Sequence, residues 1–293
     1  MQPERHVSAA SESAGPRGTR LESIQAMPHP RTAIILAAGS GSRLLPHTAH
    51  APKCLTAVAG HPILRYQIAA LRHCGITDIV IVVGYKSDRI REFVDPSVTL
   101  VENREYATTN SSYSLWLARE HMGDGFIHLN SDLLFEPPLL QALLSAPVEN
   151  AIVVDRQVRP GSDMMKARMQ GSRILAMSKG LTEEAAAEVI GPAKFGRAAA
   201  SVLLRRLSEL AAESDRNRWA YSVFGELASE TQFAGVDNAG CFWAEIDTLA
   251  DHEAAERRIP VSLVDLARRE SEAAALSAMD LSTAADALRT HAS

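Results

Sequence analysis

The feature that most constrains this 293-residue chain is a short apolar run that leads directly into a glycine-containing turn. Residues 32–37 (TAIILA) have the composition of a buried β-strand, and Gly39 and Gly41 follow at once. Small residues after a buried strand let backbone N–H groups approach an anion. Arg43 and Lys53 add positive charge suited to a polyphosphate. A lone Gly-x-Gly is only a weak indication, because many tight turns use glycine for its backbone freedom alone.

From residue 32 onwards, short β-rich runs alternate with amphipathic segments, which is typical of an α/β protein with crossover helices. We predict a doubly wound sheet that binds its ligands at the carboxyl ends of the strands. Two polar runs, 163–169 and 174–178, are expected to form a hairpin lid. The other predicted strands are 32–37, 78–83, 98–101, 126–129, 151–154 and 242–246, and the predicted helices are 62–74, 111–120, 197–214, 219–229, 248–258 and 261–288.

The predicted organisation is a disordered extension (1–30), a main domain (31–258) with a lid at about 160–196, and a C-terminal helical extension (259–293). The first segment is rich in Ser, Pro, Arg and Glu and has no apolar centre like that of a signal peptide. The apolar face of the C-terminal helices leaves room for a homodimer.

Composition excludes several classes of protein. The formal charge of -5 gives no sign of a nucleic-acid or anionic-membrane partner. The longest apolar stretch, 32–38, is far below the ~20 residues that span a bilayer. Three cysteines without a C-x-x-C spacing argue against a disulfide framework or a zinc site, so we expect a cytoplasmic protein.

The glycine turn is part of a much longer motif. It is neither G-x-G-x-x-G, which would require glycine at Leu44, nor a P-loop, which would require GKS or GKT. Residues 36–63 instead resemble the LAAGxGxRLxPxTxxxPKxLxxVxGxPI signature of sugar nucleotidyltransferases and related cytidylyltransferases. This resemblance extends from residue 32 to about 258. It implies a Rossmann-like doubly wound mixed sheet, GT-A-like, with a small β lid and C-terminal helices.

The resemblance also implies roles for individual residues. Nucleotide contacts fall on Leu36, Ala37, Ala38, Gly39, Ser40, Gly41, Asn110, Ser111 and Ser112. Arg43 and Lys53 would act on the phosphates, and Asp132 and Asp247 would hold Mg²⁺. Position in the chain adds two residues to these: Tyr85, directly after Gly84, is expected to contact the base, and Glu245, on the same strand face as Asp247, is expected to be a further Mg²⁺ ligand. An acceptor oxygen would attack the α-phosphorus while pyrophosphate leaves, so no protein nucleophile is needed.

Three downstream segments, 163–166, 174–179 and 188–195, resemble the bacterial branch that makes CDP-linked small molecules, including phosphocholine, aminoethylphosphonate and inositol-phosphate cytidylyltransferases. Lys166 and Lys179 are expected to hold the acceptor's phosphoryl group beside the α-phosphate, with Lys166 also catalytic.

Choline recognition requires an aromatic cage. Met165 stands where similar phosphocholine enzymes have tryptophan, Ser222 stands where an acid is expected, and only Trp219 and Tyr221 remain for a cage. We therefore predict CTP and a small phosphonate, or a phosphate monoester, as substrates.

Four alternatives stay open. Two are related enzymes, a sugar-1-phosphate uridylyl- or thymidylyltransferase and a phosphocholine cytidylyltransferase. The third is a metal-dependent glycosyltransferase, although Asn130-Ser131-Asp132 is not the D-x-D motif of that class. The fourth is a nucleotide-sensing domain without activity, which the presence of Arg43, Lys53 and both aspartates disfavours.

Overall fold

The computed structural model describes residues 29–291 except 158–160, 162–163, 182–186, 214 and 239, so nearly all of the predicted N-terminal extension lies outside the described residues. Thirteen strands are found in the described part of the chain. They are β1 (Thr32–Ala37), β2 (Ala57–Val58), β3 (His61–Pro62), β4 (Asp78–Val83), β5 (Thr99–Glu102), β6 (Phe126–Asn130), β7 (Leu133–Phe135), β8 (Ala151–Asp155), β9 (Lys166–Gln170), β10 (Arg173–Ser178), β11 (Ala187–Phe195), β12 (Ala234–Asp237) and β13 (Trp243–Glu245).

Eight α-helices connect or follow these strands in the same described part. They are α1 (Ile63–His73), α2 (Ser87–Phe93), α3 (Ser111–Leu117), α4 (Pro137–Ser145), α5 (Arg197–Ala212), α6 (Ala220–Glu230), α7 (Leu249–Arg258) and α8 (Val261–His291).

Nine strands form one mixed sheet in the order β5-β4-β1-β6-β11-β8-β12-β10-β9. The segment β5-β4-β1-β6 is parallel, with Ile34 opposite both Val80 and His128. At the other end, β9 pairs with β10 and also with the start of β11, so β8, β12, β10, β9 and β11 form a closed ring. Separate two-stranded ribbons join β2 to β3 and β7 to β13.

Apolar side chains cover both faces of the sheet. Ile34 and Leu36 point into the core formed with α3, α5 and α6, whereas Ala33, Ile35 and Ala37 point into the core formed with α1 and α4. This alternation follows from the two-residue period of a strand. The predicted doubly wound α/β fold is confirmed.

The predicted hairpin forms as β9 and β10, and both strands also pair with the large sheet, whereas its role as a lid stays a prediction. The longest strand, β11, lies near the middle of that sheet and was not predicted. Gly191 and Pro192 interrupt its apolar pattern, and its register shifts between Val189 and Ala193.

The start of α8 packs against α1. Leu263 and Ala267 are buried in a third core with Ile63 and Tyr66, and Arg72 pairs with Glu270.

Within the part of the chain that the structure describes, no helix has the length and apolar character needed to cross a membrane.

Candidate active site

A cavity of about 1600 Å³ opens at the carboxyl ends of β1 and β6. The glycine turn after β1 and the residues after β6 both line it. Gly41 has φ 62°, and a Cβ added there would lie 2.7 Å from the Cβ of Lys53. Thr48 Oγ1 donates to the Gly41 carbonyl at 3.0 Å. Glycine is therefore required at position 41 both by the left-handed backbone and by the close approach of Lys53.

Lys53 lies between two carboxylates. Its Nζ donates to Asp132 Oδ2 at 2.7 Å and also to Asp247 Oδ1. Burial opposes the charge of Lys53, but the two aspartates outweigh this effect and hold its pKa above the ordinary value. Arg43 donates to the other oxygen of Asp247 at 2.8 Å, although the Arg43 side chain itself is largely exposed. Two cations thus share one end of the cavity with the acids.

Distant parts of the chain position these acids. Gln67 Nε2, on α1, donates to the carbonyls of Asn130 at 2.7 Å and Leu133 at 2.9 Å, which fixes the turn that carries Asp132. The following strand, β7, pairs with β13, so that Glu245 lies opposite Leu133. The backbone N–H of Ile246 also donates to the Asp132 carbonyl at 2.9 Å.

Asp247 lies immediately before α7. Thr248 and Asp251 cap the first turn of that helix reciprocally, and the Asp247 backbone N–H donates to Asp251 at 3.1 Å.

The acids fit a divalent cation. Asp132, Glu245 and Asp247 each offer an oxygen, and these atoms lie within 4.8 Å of one another. Asp132 Oδ1 is buried and has no hydrogen-bond partner in the described structure, so a ligand atom is left for a cation. Burial, together with the charges of Asp132 and Asp247, raises the pKa of Glu245 to about 8. Clustered carboxylate oxygens are the donors that Mg²⁺ prefers.

The predicted nucleotide contacts fall into two groups. Leu36, Ala38, Gly39, Ser40, Gly41, Asn110 and Ser111 line the cavity. Ala37, Tyr85 and Ser112 are not part of its wall: Ala37 is buried in the sheet core, Tyr85 donates through its hydroxyl to the Thr48 carbonyl at 3.2 Å, and the N–H of Ser112 donates to the Arg218 carbonyl at 3.1 Å. Their predicted contacts with the base stay predictions.

The two lid lysines also differ. Lys179 lines the cavity, with its Nζ 3.7 Å from the ring centroid of Trp219. Lys166 is buried and donates to the Lys179 carbonyl at 2.8 Å, so in this structure it supports the backbone beneath Lys179. A direct role for Lys166 in catalysis stays a prediction.

Sequence reasoning missed two further acids in the wall of the cavity. Asp155 and Glu188 lie opposite each other on β8 and β11, and both are buried. Asp155 Oδ2 accepts hydrogen bonds from Asn238 at 2.9 Å and from Trp243 Nε1 at 3.0 Å. Because β11 was not predicted as a strand, nothing in the sequence placed Glu188 next to Asp155.

Comparison with known proteins agrees with this fold. The inositol-1-phosphate CTP transferase from T. maritima superposes with a TM-score of 0.67 at 21% identity, over 84% of this chain and 98% of that one. The fold is therefore the mixed α/β fold of nucleotidyltransferases. Residues 33–225 match the model of the MobA-like NTP transferase domain, and the chain belongs to that family. The match ends before Glu245 and Asp247.

Two relatives are similar in sequence. A CMP-5'-(3-aminopropyl)phosphonate synthase from Streptomyces rubellomurinus is 38% identical over 136 residues, which are 45% of this chain and 22% of the relative. A choline-phosphate cytidylyltransferase from Streptococcus pneumoniae is 41% identical over 105 residues, 36% of this chain and 46% of the relative. The chain thus spans less than half the length of these two relatives.

Proposed function

We propose that this protein transfers CMP from CTP to an oxygen of a small phosphonate, or of a phosphate monoester, and releases pyrophosphate. The observation that carries the proposal is the meeting of the glycine turn, two cations and three carboxylates in one cavity. The acceptor oxygen forms a bond to the α-phosphorus of CTP, and the bond from that phosphorus to the oxygen bridging to the β-phosphate breaks. Alignment and charge neutralisation are sufficient for this step.

Each group has a part in this reaction. Backbone N–H groups of the glycine turn receive the phosphates, and Lys53 and Arg43 neutralise their charge. Asp132, Glu245 and Asp247 would hold Mg²⁺, which when bound would neutralise phosphate oxygens and orient them. Lys179 faces the cavity from the lid and suits the acceptor's phosphoryl group.

CTP and a phosphonate are favoured by two considerations. Both curated relatives described above are named for CMP or cytidylyl chemistry, and one is a phosphonate enzyme. In addition, the Lys179 ammonium already lies over the Trp219 ring, where a quaternary ammonium would otherwise bind. Phosphocholine is therefore the less favoured acceptor.

The test is pyrophosphate release from each of the four NTPs with magnesium, against phosphonates, phosphocholine, inositol phosphate and hexose 1-phosphates. We expect turnover with CTP and a phosphonate or small phosphate monoester. Turnover only with UTP or dTTP and a sugar phosphate would contradict the proposal and assign the protein to the sugar branch. If CTP binds without turnover of any acceptor, the nucleotide-sensing alternative is favoured instead.

A further inference from the structure

Glu188 is a buried acid in the wall of the cavity, and one of its carboxylate oxygens lacks a hydrogen-bond donor among the described residues. Its side chain lines the cavity although the residue is only 4% exposed. Within the described residues, Oε2 accepts no hydrogen bond. Burial, and then the charge of Asp155, raises the pKa of Glu188 to about 7. A buried carboxylate without a donor is costly, and it suggests that a ligand supplies the donor.

The charged neighbours of Glu188 do not supply a hydrogen-bond donor to its Oε2 atom. Glu188 pairs with Asp155 on one side and with Lys166 on the other, and directly opposite residues of antiparallel strands share a face. Lys166 nevertheless donates to the Lys179 carbonyl. Asp155 adds a second negative charge, held in place by the side chains of Asn238 and Trp243. The two acids outnumber the one lysine on this face, so this part of the wall, hereafter the acidic pole, carries a net negative charge when both acids are ionised.

The surroundings of this pole suit an organic cation better than a metal ion. The indole of Trp243 donates to Asp155, the residue opposite Glu188, and Met165 and Tyr221 line the same cavity, so aromatic and apolar groups accompany the acids. A hydrated divalent ion requires several oxygen ligands. In the described structure the group of acids with metal-ligand spacing is Asp132, Glu245 and Asp247, and it does not include Glu188.

The Oε2 atom of Glu188, which accepts no hydrogen bond within the described residues, favours a primary ammonium over a quaternary one. A quaternary ammonium has no N–H and relies on aromatic faces. Here Lys179 covers the Trp219 ring, and the hydroxyl of Tyr221 donates to the Gly191 carbonyl at 2.9 Å, as part of the protein's own packing. A primary ammonium brings three N–H donors and matches an oxygen that lacks one.

We infer that the acceptor carries a primary ammonium at the end opposite its phosphoryl group, and that Glu188 selects this ammonium. This inference rests on the proposed function and narrows its acceptor class to short ω-aminoalkyl phosphonates or phosphates. The spacer is short because β11 passes close to the metal site: a Cβ added at Gly191, three residues after Glu188, would lie 3.9 Å from Leu133 Cδ2, and Leu133 lies opposite Glu245.

The experiment compares acceptors that differ only in the ammonium group. CMP transfer from CTP is measured for 2-aminoethylphosphonate against propylphosphonate, and for 3-aminopropylphosphonate against butylphosphonate. We expect the wild-type protein to favour the amine by roughly 10- to 100-fold in kcat/KM, which is the range for a charge-assisted hydrogen bond. Glu188→Gln removes the charge at nearly constant shape, and should reduce the preference to within about threefold of unity.

The matched control is Glu92→Gln, the same change at an exposed residue of α2, which should keep the wild-type preference. Equal transfer to amine and alkyl acceptors by the wild-type protein overturns this inference alone, and so does a Glu188→Gln variant that keeps the preference. If Glu188→Gln fails to fold, the wild-type ratio decides by itself. The absence of CMP transfer to any phosphonate or phosphate would instead overturn the proposed function, and this inference with it.

Discussion

At the scale of single residues, Lys53 is the group on which the proposed chemistry most depends. We expect Lys53→Met to lower kcat by about 10²- to 10³-fold, because an oriented charge on a transferring phosphoryl group contributes several kcal/mol. Lys53→Arg keeps the charge and should retain more activity than Lys53→Met. Steady-state kinetics with magnesium and CTP measure both. Wild-type turnover in Lys53→Met would remove this residue from the mechanism.

Removing Lys53 also leaves Asp132 and Asp247 without the cation between them. The Lys53→Met variant should therefore gain more thermal stability from added Mg²⁺ than the wild-type protein does. A melting curve with and without the metal separates this electrostatic effect from the catalytic one.

Glu188 gives a second prediction at this scale, on stability against pH. Its pKa of about 7 in the folded protein lies above the ordinary value of 4.5. The folded state therefore binds more protons between these values, so this residue's contribution to stability falls as pH rises towards 7 and stays low above it. Glutamine carries no charge at any pH.

Glu188→Gln should accordingly stabilise the free protein at pH 8 by on the order of 1 kcal/mol, and have little effect at pH 4.5. The difference in melting temperature between variant and wild type, measured across this range, tests the assignment. A difference that does not change with pH would contradict it.

At the scale of elements, α8 is joined to the main domain by its first turns. Leu263 is 1% exposed in the core that it shares with Ile63 and Tyr66, whereas Val261, two residues earlier, is 76% exposed. Leu263→Ala should cost about 2–4 kcal/mol in the free energy of unfolding, and Val261→Ala close to nothing. Denaturant unfolding measures both values. Similar values for the two variants would mean that α8 does not contribute to this core.

Some strands and helices could be predicted from the local sequence pattern, and others could not. The boundaries of β1 and β4 match the predictions residue for residue, because in both strands one polar residue is followed by five buried apolar residues. The helices α2 and α4 and the strands β2, β3, β7, β11 and β12 were missed. They are short, or carry glycine, proline or charged residues within them, so their local pattern is weak.

At the scale of the whole molecule, the candidate metal site joins the turn after β6 to residues more than 100 positions later. We expect EDTA to abolish activity and Mg²⁺ to restore it. Asp132→Asn and Asp247→Asn should raise the Mg²⁺ concentration required for half-maximal rate by at least about tenfold, because a carboxylate ligand is lost. Undiminished turnover in chelator would contradict this assignment.

The sequence alone determined the class of fold and one half of the candidate site. The glycine turn, Arg43 and Lys53 are close in the chain, so their spacing already predicts a phosphate-binding end. The acids Asp155 and Glu188 in the cavity wall were placed only by the tertiary structure. Glu188 and Asp155 are 33 positions apart and meet because β11 pairs with β8, and Lys166 is buried because β9 pairs with β10 and β11. Side chains of strands distant in the chain become neighbours through sheet pairing, and that pairing leaves no local pattern in the sequence.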